Sequence, residues 1–168
     1  MSSIPGSCSP VARLFPRETA TTLYSKSLAA TRVLMRKVVP LLLQDRVSLA
    51  PQDPTKATVT PALEPRRMVD RSASVDRFDR TVRAFANPFG GARTTCGDQW
   101  VRIWEGEPGE GAAGIPIPLA DGVYRILRLS HEGKPEADWR EFVRRHPAAP
   151  DLIGVPRRGH RGARAEEE

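Results

Sequence analysis

Apolar positions in this chain form short islands separated by prolines and glycines. Two islands have the three-to-four-residue spacing of an amphipathic helix. The apolar members of the first are Tyr24, Leu28, Met35, Val38 and Leu42. In the second, Ser74 is an N-cap candidate, and the apolar stripe that follows consists of Val75, Phe78, Val82 and Phe85. The pattern therefore predicts a basic N-terminal helix and a short central helix.

The C-terminal half of the chain shows three further patterns. Residues 100–104 are dense in aromatic and β-branched side chains, which is typical of a strand. Asp121 can cap a helix over residues 122–129, because apolar side chains recur there at close spacing. A last helix is predicted from Pro135 to His146, with proline in its first turn and basic residues in its last.

These elements predict a mostly α fold with extensive irregular and extended segments and one or two short β-strands. The predicted domain organisation has four parts. Residues 1–44 form a basic amphipathic segment, and residues 45–67 form a proline-rich extended linker. Residues 68–150 form a small α-rich core with a short strand, and residues 151–168 form a basic, flexible tail that ends in three glutamates.

The amino-acid composition bears on the size of the hydrophobic core. Hydrophobic residues make up 39% of the chain, against roughly 45–50% in ordinary globular domains. The chain has 26 basic and 20 acidic residues, a formal net charge of +6 that favours acidic partners. Cys8 and Cys96 form no disulfide framework. We therefore predict a small core that neighbouring molecules complete.

Candidate chemistry is sparse in the sequence. Residues 109–114 match the G-x-G-x-x-G pattern, but Pro116 and Pro118 follow at once and prevent the helix that a dinucleotide site needs. His131, His146 and His160 have no cysteine or acid at zinc-ligand spacing. No serine or cysteine has the context of a nucleophile. The sequence therefore predicts no cofactor, no metal and no catalytic activity.

Two groups of residues are candidate partner contacts. Aromatic side chains are either core residues or interface anchors, and this group comprises Trp100, Trp104, Trp139 and Phe142. The basic tail, with Arg157, Arg158 and Arg161, can contact RNA phosphates or a protein surface. The tail has no interleaved aromatic residues, and its glutamates oppose a polyanion, so contact with other protein subunits is favoured.

The segment Val123-Tyr124-Arg125, followed by Phe142, resembles the LYR-motif family. Those proteins are small, basic mitochondrial helical modules that serve as accessory subunits or assembly adapters, often with acyl carrier protein. The resemblance implies a partner-binding role for Tyr124, Arg125 and Phe142 and supports a mitochondrial location. Valine replaces the leading leucine, and Gly133 interrupts early, so acyl carrier protein binding is not carried over.

The preferred hypothesis is a non-catalytic accessory subunit of a mitochondrial multi-protein complex, of the respiratory chain or ATP synthase. The alternatives are a mitochondrial ribosomal or other RNA-binding protein and a LYR-type adapter. Residues 1–44 are basic, hydroxyl-rich and nearly free of acids, which is typical of mitochondrial or plastid transit peptides. A surface helix of the mature protein remains the other interpretation. No run reaches the roughly 18 apolar residues of a membrane span.

Overall fold

A computed structural model describes residues 13–47, 53–59 and 65–155 and divides the chain into two compact units, Met1–Ala62 and Leu63–Glu168. The first unit contains helix α1 (Ala20–Leu43), which includes Pro40 and has no buried residue. Thr19 and Thr22 form a capping box at its start. Lys26 forms an ion pair with Glu18 and lies 4.4 Å from the centre of the Phe15 ring. A helix is therefore present where the hydrophobic spacing predicts one.

The second unit is built on an antiparallel sheet. Its strands are β1 (Ala92–Cys96), β2 (Gln99–Pro108), β3 (Ile115–Leu119), β4 (Gly122–His131) and β5 (Ala137–Asp138). The order across the sheet is β1-β2-β4-β3, and β5 pairs with β4. Helix α2 (Val75–Phe85) precedes the sheet, and helices α3 (Trp139–Arg145) and α4 (Ala149–Leu152) follow it. The prediction of a mostly α fold is therefore wrong.

One face of the sheet packs against α2 and forms the core. Phe78 and Val82 of α2 are buried against strand residues, and the Phe78 and Tyr124 rings lie 4.8 Å apart. The inward-facing strand residues are Ala92, Val101, Ile103, Ile115, Ile117, Tyr124, Ile126 and Leu129. The expectation of a small core that depends on a partner is wrong, because this chain supplies both of these packed layers.

The predicted central helix is confirmed as α2. Ser74 is its N-cap and accepts a hydrogen bond from the Arg77 amide at 3.3 Å. Asp79 of α2 is buried, since it is only 6% exposed. Its carboxylate accepts hydrogen bonds from Arg83 Nε at 2.8 Å and the Tyr124 hydroxyl at 3.5 Å. This buried charge is compensated because both neighbours donate to it.

The helix predicted after Asp121 is a strand, β4, and Asp121 caps a different element. Its carboxylate accepts a hydrogen bond from the Val75 amide at 2.7 Å, at the start of α2. The last predicted helix starts later than expected. Asp138, rather than Pro135, marks the start of α3, since its side chain accepts from the Arg140 amide at 2.9 Å.

A bulge between β2 and β4 shapes the middle of the sheet. Pairing passes from Ile103 with Leu129 to Glu105 with Arg128, and then to Gly106 with Ile126. A Cβ on Gly106 would lie 2.6 Å from the Arg125 carbonyl oxygen and against the Tyr124 ring. Only glycine fits at this crossing, which brings the two longest strands into close contact.

Residues 150–153, in and just after α4, are attached to the rest of this unit through Arg71. The Arg71 guanidinium donates to the carbonyl oxygens of Ile153 and Pro150 at 2.8 Å each, and to that of Asp151 at 3.0 Å. Ile153 is fully buried and bridges to Cys96 of β1. The sheet edge at β1 is thereby covered.

Candidate functional site

Arginine side chains line the face of the sheet opposite the core. Arg93 of β1 pairs in register with Arg102 of β2, and Arg102 pairs with Ser130 of β4. Because side chains alternate along a strand, these residues lie on the other face from Val101 and Ile103. The alternation of the strands therefore places a row of polar and cationic groups across β1, β2 and β4.

Two tryptophans share this face. The centre of the Trp100 ring lies 4.2 Å from Arg93 Cζ, a cation–π contact. The Trp104 indole Nε1 donates to the Ser130 hydroxyl at 3.0 Å. Both tryptophans are half-buried. Each is held by a polar contact and still exposes part of its side chain.

A third arginine joins the face from the segment before α2. Arg67 donates to the Phe89 carbonyl oxygen at 3.1 Å, and Arg102 donates to that of Gly90 at 3.2 Å. The two guanidinium groups converge beside Gly90. A Cβ atom added to this glycine would lie 3.4 Å from a nitrogen of Arg102 and 3.5 Å from a nitrogen of Arg67. We call Arg67, Arg93, Arg102, Trp100 and Trp104 the arginine face.

The carboxylate of Glu132 is shared by two of these arginines. Its oxygens lie 2.7 Å from Arg93 and 3.1 Å from Arg102. The hydrogen bond from Arg102, and after it the one from Arg93, lower the pKa of Glu132 below its usual value of 4.5. The Nε atoms of Arg93 and Arg102 are buried without a hydrogen-bond partner among the described residues. Two guanidinium groups therefore share one carboxylate, and their Nε atoms have donor capacity to spare. This excess of positive charge suits a surface that binds anions.

A cleft of about 670 Å³ lies beside the arginine face, at the end of β4. Its lining includes Trp100 and Glu132, and also His131 and His146, whose Nε2 atoms are 3.0 Å apart. Burial, and to a smaller extent the charge of His146, lower the pKa of His131 below its usual 6.5. His131 is therefore neutral at pH 7 and can serve as the acceptor or the donor of this contact.

The glycine loop of residues 109–114 contains no cofactor cradle. Strand β3 follows it, and the Arg125 guanidinium fills it by donating to the carbonyl oxygens of Gly109 at 3.0 Å and Ala113 at 2.7 Å. A Cβ on Gly111 would lie 2.5 Å from Arg125, so the loop wraps this side chain closely. In the described parts of the chain, no three metal-ligating side chains form a cluster.

The partner-binding residues predicted from the sequence lie in different environments. Trp100 and Trp104 belong to the arginine face, whereas Tyr124 is fully buried and Phe142 is 3% exposed. Trp139 packs against the core, and Arg125 anchors the glycine loop. Arg157, Arg158 and Arg161 lie outside the described residues. Partner binding by this set stays a prediction.

The sequence analysis missed Arg67, Arg93, Arg102 and Glu132, and it did not predict that His131 and His146 are in contact. Part of the arginine face could have been predicted from the sequence. Once residues 100–104 are taken as a strand, alternation places Trp100, Arg102 and Trp104 on one face. The remaining members come from other segments, and only the strand pairing brings them together.

No family model matches the chain. The chain is 28% identical to methionyl-tRNA formyltransferase of Paracidovorax citrulli over 159 residues, 82% of this chain and 48% of that protein. It is also 28% identical to the Myxococcus xanthus enzyme of the same name, over 80% of this chain and 47% of that enzyme. The Geobacillus thermodenitrificans enzyme is 30% identical over 69% of this chain and 34% of its own length. The chain therefore spans about half, or less, of the curated relatives that it matches.

Among solved structures, HypX from Aquifex aeolicus has a similar fold. The TM-score is 0.63 at 15% identity, and the match covers 78% of this chain and 26% of HypX. This likeness concerns the fold, and it agrees with a curled antiparallel sheet packed with helices.

These comparisons contradict the functional hypothesis drawn from the sequence. The curated relatives are bacterial enzymes rather than LYR-motif proteins, so the predicted non-catalytic mitochondrial accessory subunit and the mitochondrial or plastid location are wrong. Across the described residues, no helix combines the length and apolarity needed to cross a membrane. The chain is similar in sequence to part of the methionyl-tRNA formyltransferases and in fold to part of HypX.

Proposed function

We propose that this chain is part of a formyltransferase-type enzyme that acts on an aminoacyl-tRNA, and that the arginine face binds the RNA. The relatives named methionyl-tRNA formyltransferase suggest the reaction and the substrate. The observation that carries the proposal for this chain is the arginine face itself, where the half-buried side chains of Arg93, Arg102 and Trp100 lie together on one face of the sheet.

The chemistry of this face fits an RNA backbone. Guanidinium groups bind phosphate oxygens through paired N–H donors, and Arg93 and Arg102 each already hold a carboxylate oxygen of Glu132. Trp100 and Trp104 add aromatic surface on which bases can stack. In this proposal the described residues bind and position the tRNA for formylation of its amino acid.

The test of binding is a titration of the full chain with methionyl-tRNA over a series of salt concentrations. Replacing both arginines (R93A/R102A) should weaken binding at least about tenfold. The slope of log affinity against log salt concentration should become shallower by about 0.7–0.9 for each phosphate that is no longer neutralised. The matched control is R77A/R80A, which removes two exposed arginines of α2. Equal affinities for the two double variants would contradict the role of the arginine face.

A second measurement addresses the reaction. The full chain is incubated with methionyl-tRNA and a formyl donor, and the amino acid released from the tRNA is analysed by mass spectrometry. Appearance of N-formylmethionine would show that this chain also carries the groups that transfer the formyl group. Because the chain spans about half, or less, of the relatives that it matches, tRNA binding without that product agrees with a tRNA-positioning part of the enzyme. The absence of both would contradict the proposal.

A further inference from the structure

The cleft at the end of β4 has the size of a small-ligand site. Its volume of about 670 Å³ lies within the roughly 300–1,000 Å³ that such sites span. The start of β2, the end of β4, the turn that follows β4, and α3 provide its lining. Trp100 and Glu132 belong to both the cleft and the arginine face, whereas the other lining residues take no part in the interactions proposed above.

Aromatic surface and polar edges are combined in the lining. Besides Trp100, it includes Phe142 and the two histidines, and the centre of the His131 ring lies 4.9 Å from that of Phe142 and 4.4 Å from that of His146. Gln99 adds polar atoms that can bond to the edge of a flat ligand. Flat rings with polar edges are the ligands that such a lining selects.

Positive charge stands at the same cleft. Lys134 and Arg145 are exposed lining residues, and Arg145 also donates to Glu141 of α3 at 2.5 Å. A ligand that carries a flat ring and a phosphate would meet both features of the site, the aromatic surface and the cations.

The cleft is continuous with the arginine face. Trp100 and Glu132 line the cleft, Arg93 lies over the Trp100 ring, and Arg93 and Arg102 both hold Glu132. An RNA strand whose phosphates contact the arginine face would therefore bring its adjacent nucleotide to the cleft. Duplex regions keep their bases stacked, so only an unpaired nucleotide could enter.

We propose that the cleft lined by Trp100, His131 and His146 receives the base of one unpaired nucleotide of the RNA bound at the arginine face. This inference rests on the proposed function and adds a second, base-recognising subsite to it. Lys134 contacts the phosphate of that nucleotide.

The experiment fills the cleft and leaves the arginine face intact. Ala137 lines the cleft from β5, and A137W places a large side chain in the space. The matched control is A84W, at an exposed position of α2. Because a large residue in β5 can disturb the fold, K134A tests the same subsite without changing its shape, with R77A as its control.

Calorimetric titration of the full chain uses adenosine 5′-monophosphate, ribose 5-phosphate and a single-stranded RNA. Adenosine 5′-monophosphate should bind and ribose 5-phosphate should not, and A137W should abolish that binding. A137W should weaken single-stranded RNA binding about tenfold, as expected when one base–aromatic stack is removed. K134A should weaken the binding of adenosine 5′-monophosphate and of single-stranded RNA about threefold each, as expected for the loss of one phosphate contact.

Two results would overturn the cleft proposal alone. The first is RNA affinity that is sensitive to R93A/R102A but unchanged in A137W and K134A, even if adenosine 5′-monophosphate binds. The second is equal binding of ribose 5-phosphate and adenosine 5′-monophosphate, which would make the cleft a plain anion site. RNA affinity that is insensitive to R93A/R102A would instead contradict the proposed function.

Discussion

At the residue scale, Glu132 occupies the position at which the arginine face would hold an anion. Its two carboxylate oxygens accept from Arg93 and Arg102, as the oxygens of a phosphate would. Those hydrogen bonds also lower the pKa of Glu132, so the carboxylate is charged at neutral pH. An RNA phosphate bound as proposed would therefore have to compete with Glu132 for the same donors.

Replacing Glu132 by glutamine should strengthen methionyl-tRNA binding by about threefold at low salt, because the competing negative charge is removed. The salt dependence should become steeper, and both changes can be measured by fluorescence anisotropy. The matched control is E136Q, since Glu136 pairs with Arg128 rather than with the arginine face. Weaker binding by E132Q would show that Glu132 positions the arginines instead of competing.

At the element scale, α2 and the β3–β4 turn depend on each other. The Asp121 carboxylate caps the Val75 amide at 2.7 Å, and the Ala120 amide donates to the Ala73 carbonyl oxygen at 3.2 Å. These bonds join residues that are about 46 positions apart in sequence. They fix the start of the helix whose buried stripe covers the sheet.

Replacing Asp121 by alanine should lower the free energy of unfolding by about 1 kcal/mol, the usual cost of losing a helix cap. Urea unfolding followed by tryptophan fluorescence measures the change. Asparagine keeps an acceptor oxygen at the same place, so D121N should retain most of the stability. Equal destabilisation in D121A and D121N would mean that the charge, rather than the cap, is responsible.

Periodicity predicted α2 well and β4 badly, for a physical reason. Helix α2 has a single apolar stripe and its own N-cap, so all its signals are local. In β4 the inward residues are Tyr124, Ile126 and Leu129, with a bulge at Leu127. The bulge changes the spacing from two residues to three, and a two-then-three pattern resembles a helical face.

The arginine face is harder to predict than any single element. Arg67, Arg93 and Arg102 are separated by up to 35 positions and belong to three segments, and they meet because β1 pairs with β2 in one register. A shift of one residue would turn Arg93 toward the core. Only the tryptophan and arginine alternation within β2 was visible in the sequence.

At the scale of the whole molecule, the two units are stabilised by different interactions. The second unit has a continuous buried cluster around Phe78, Ile103 and Tyr124. Helix α1 has no buried residue, and its apolar side chains, such as Tyr24 at 47% and Leu28 at 45%, remain exposed. Most of the stability of a protein helix comes from packing of its apolar face, so α1, which buries no residue, should be the less stable element.

The full chain should therefore unfold in two steps that different probes separate. All three tryptophans lie in the second unit, so their fluorescence should report one cooperative urea transition of the sheet and α2. Far-ultraviolet circular dichroism also detects α1, and it should begin to change at lower urea. Phe78→Ala should lower the free energy of unfolding measured from the fluorescence transition by about 3–5 kcal/mol. The early change in circular dichroism should remain. Coincident transitions from both probes would contradict this view, because they would require α1 to be packed as firmly as the core.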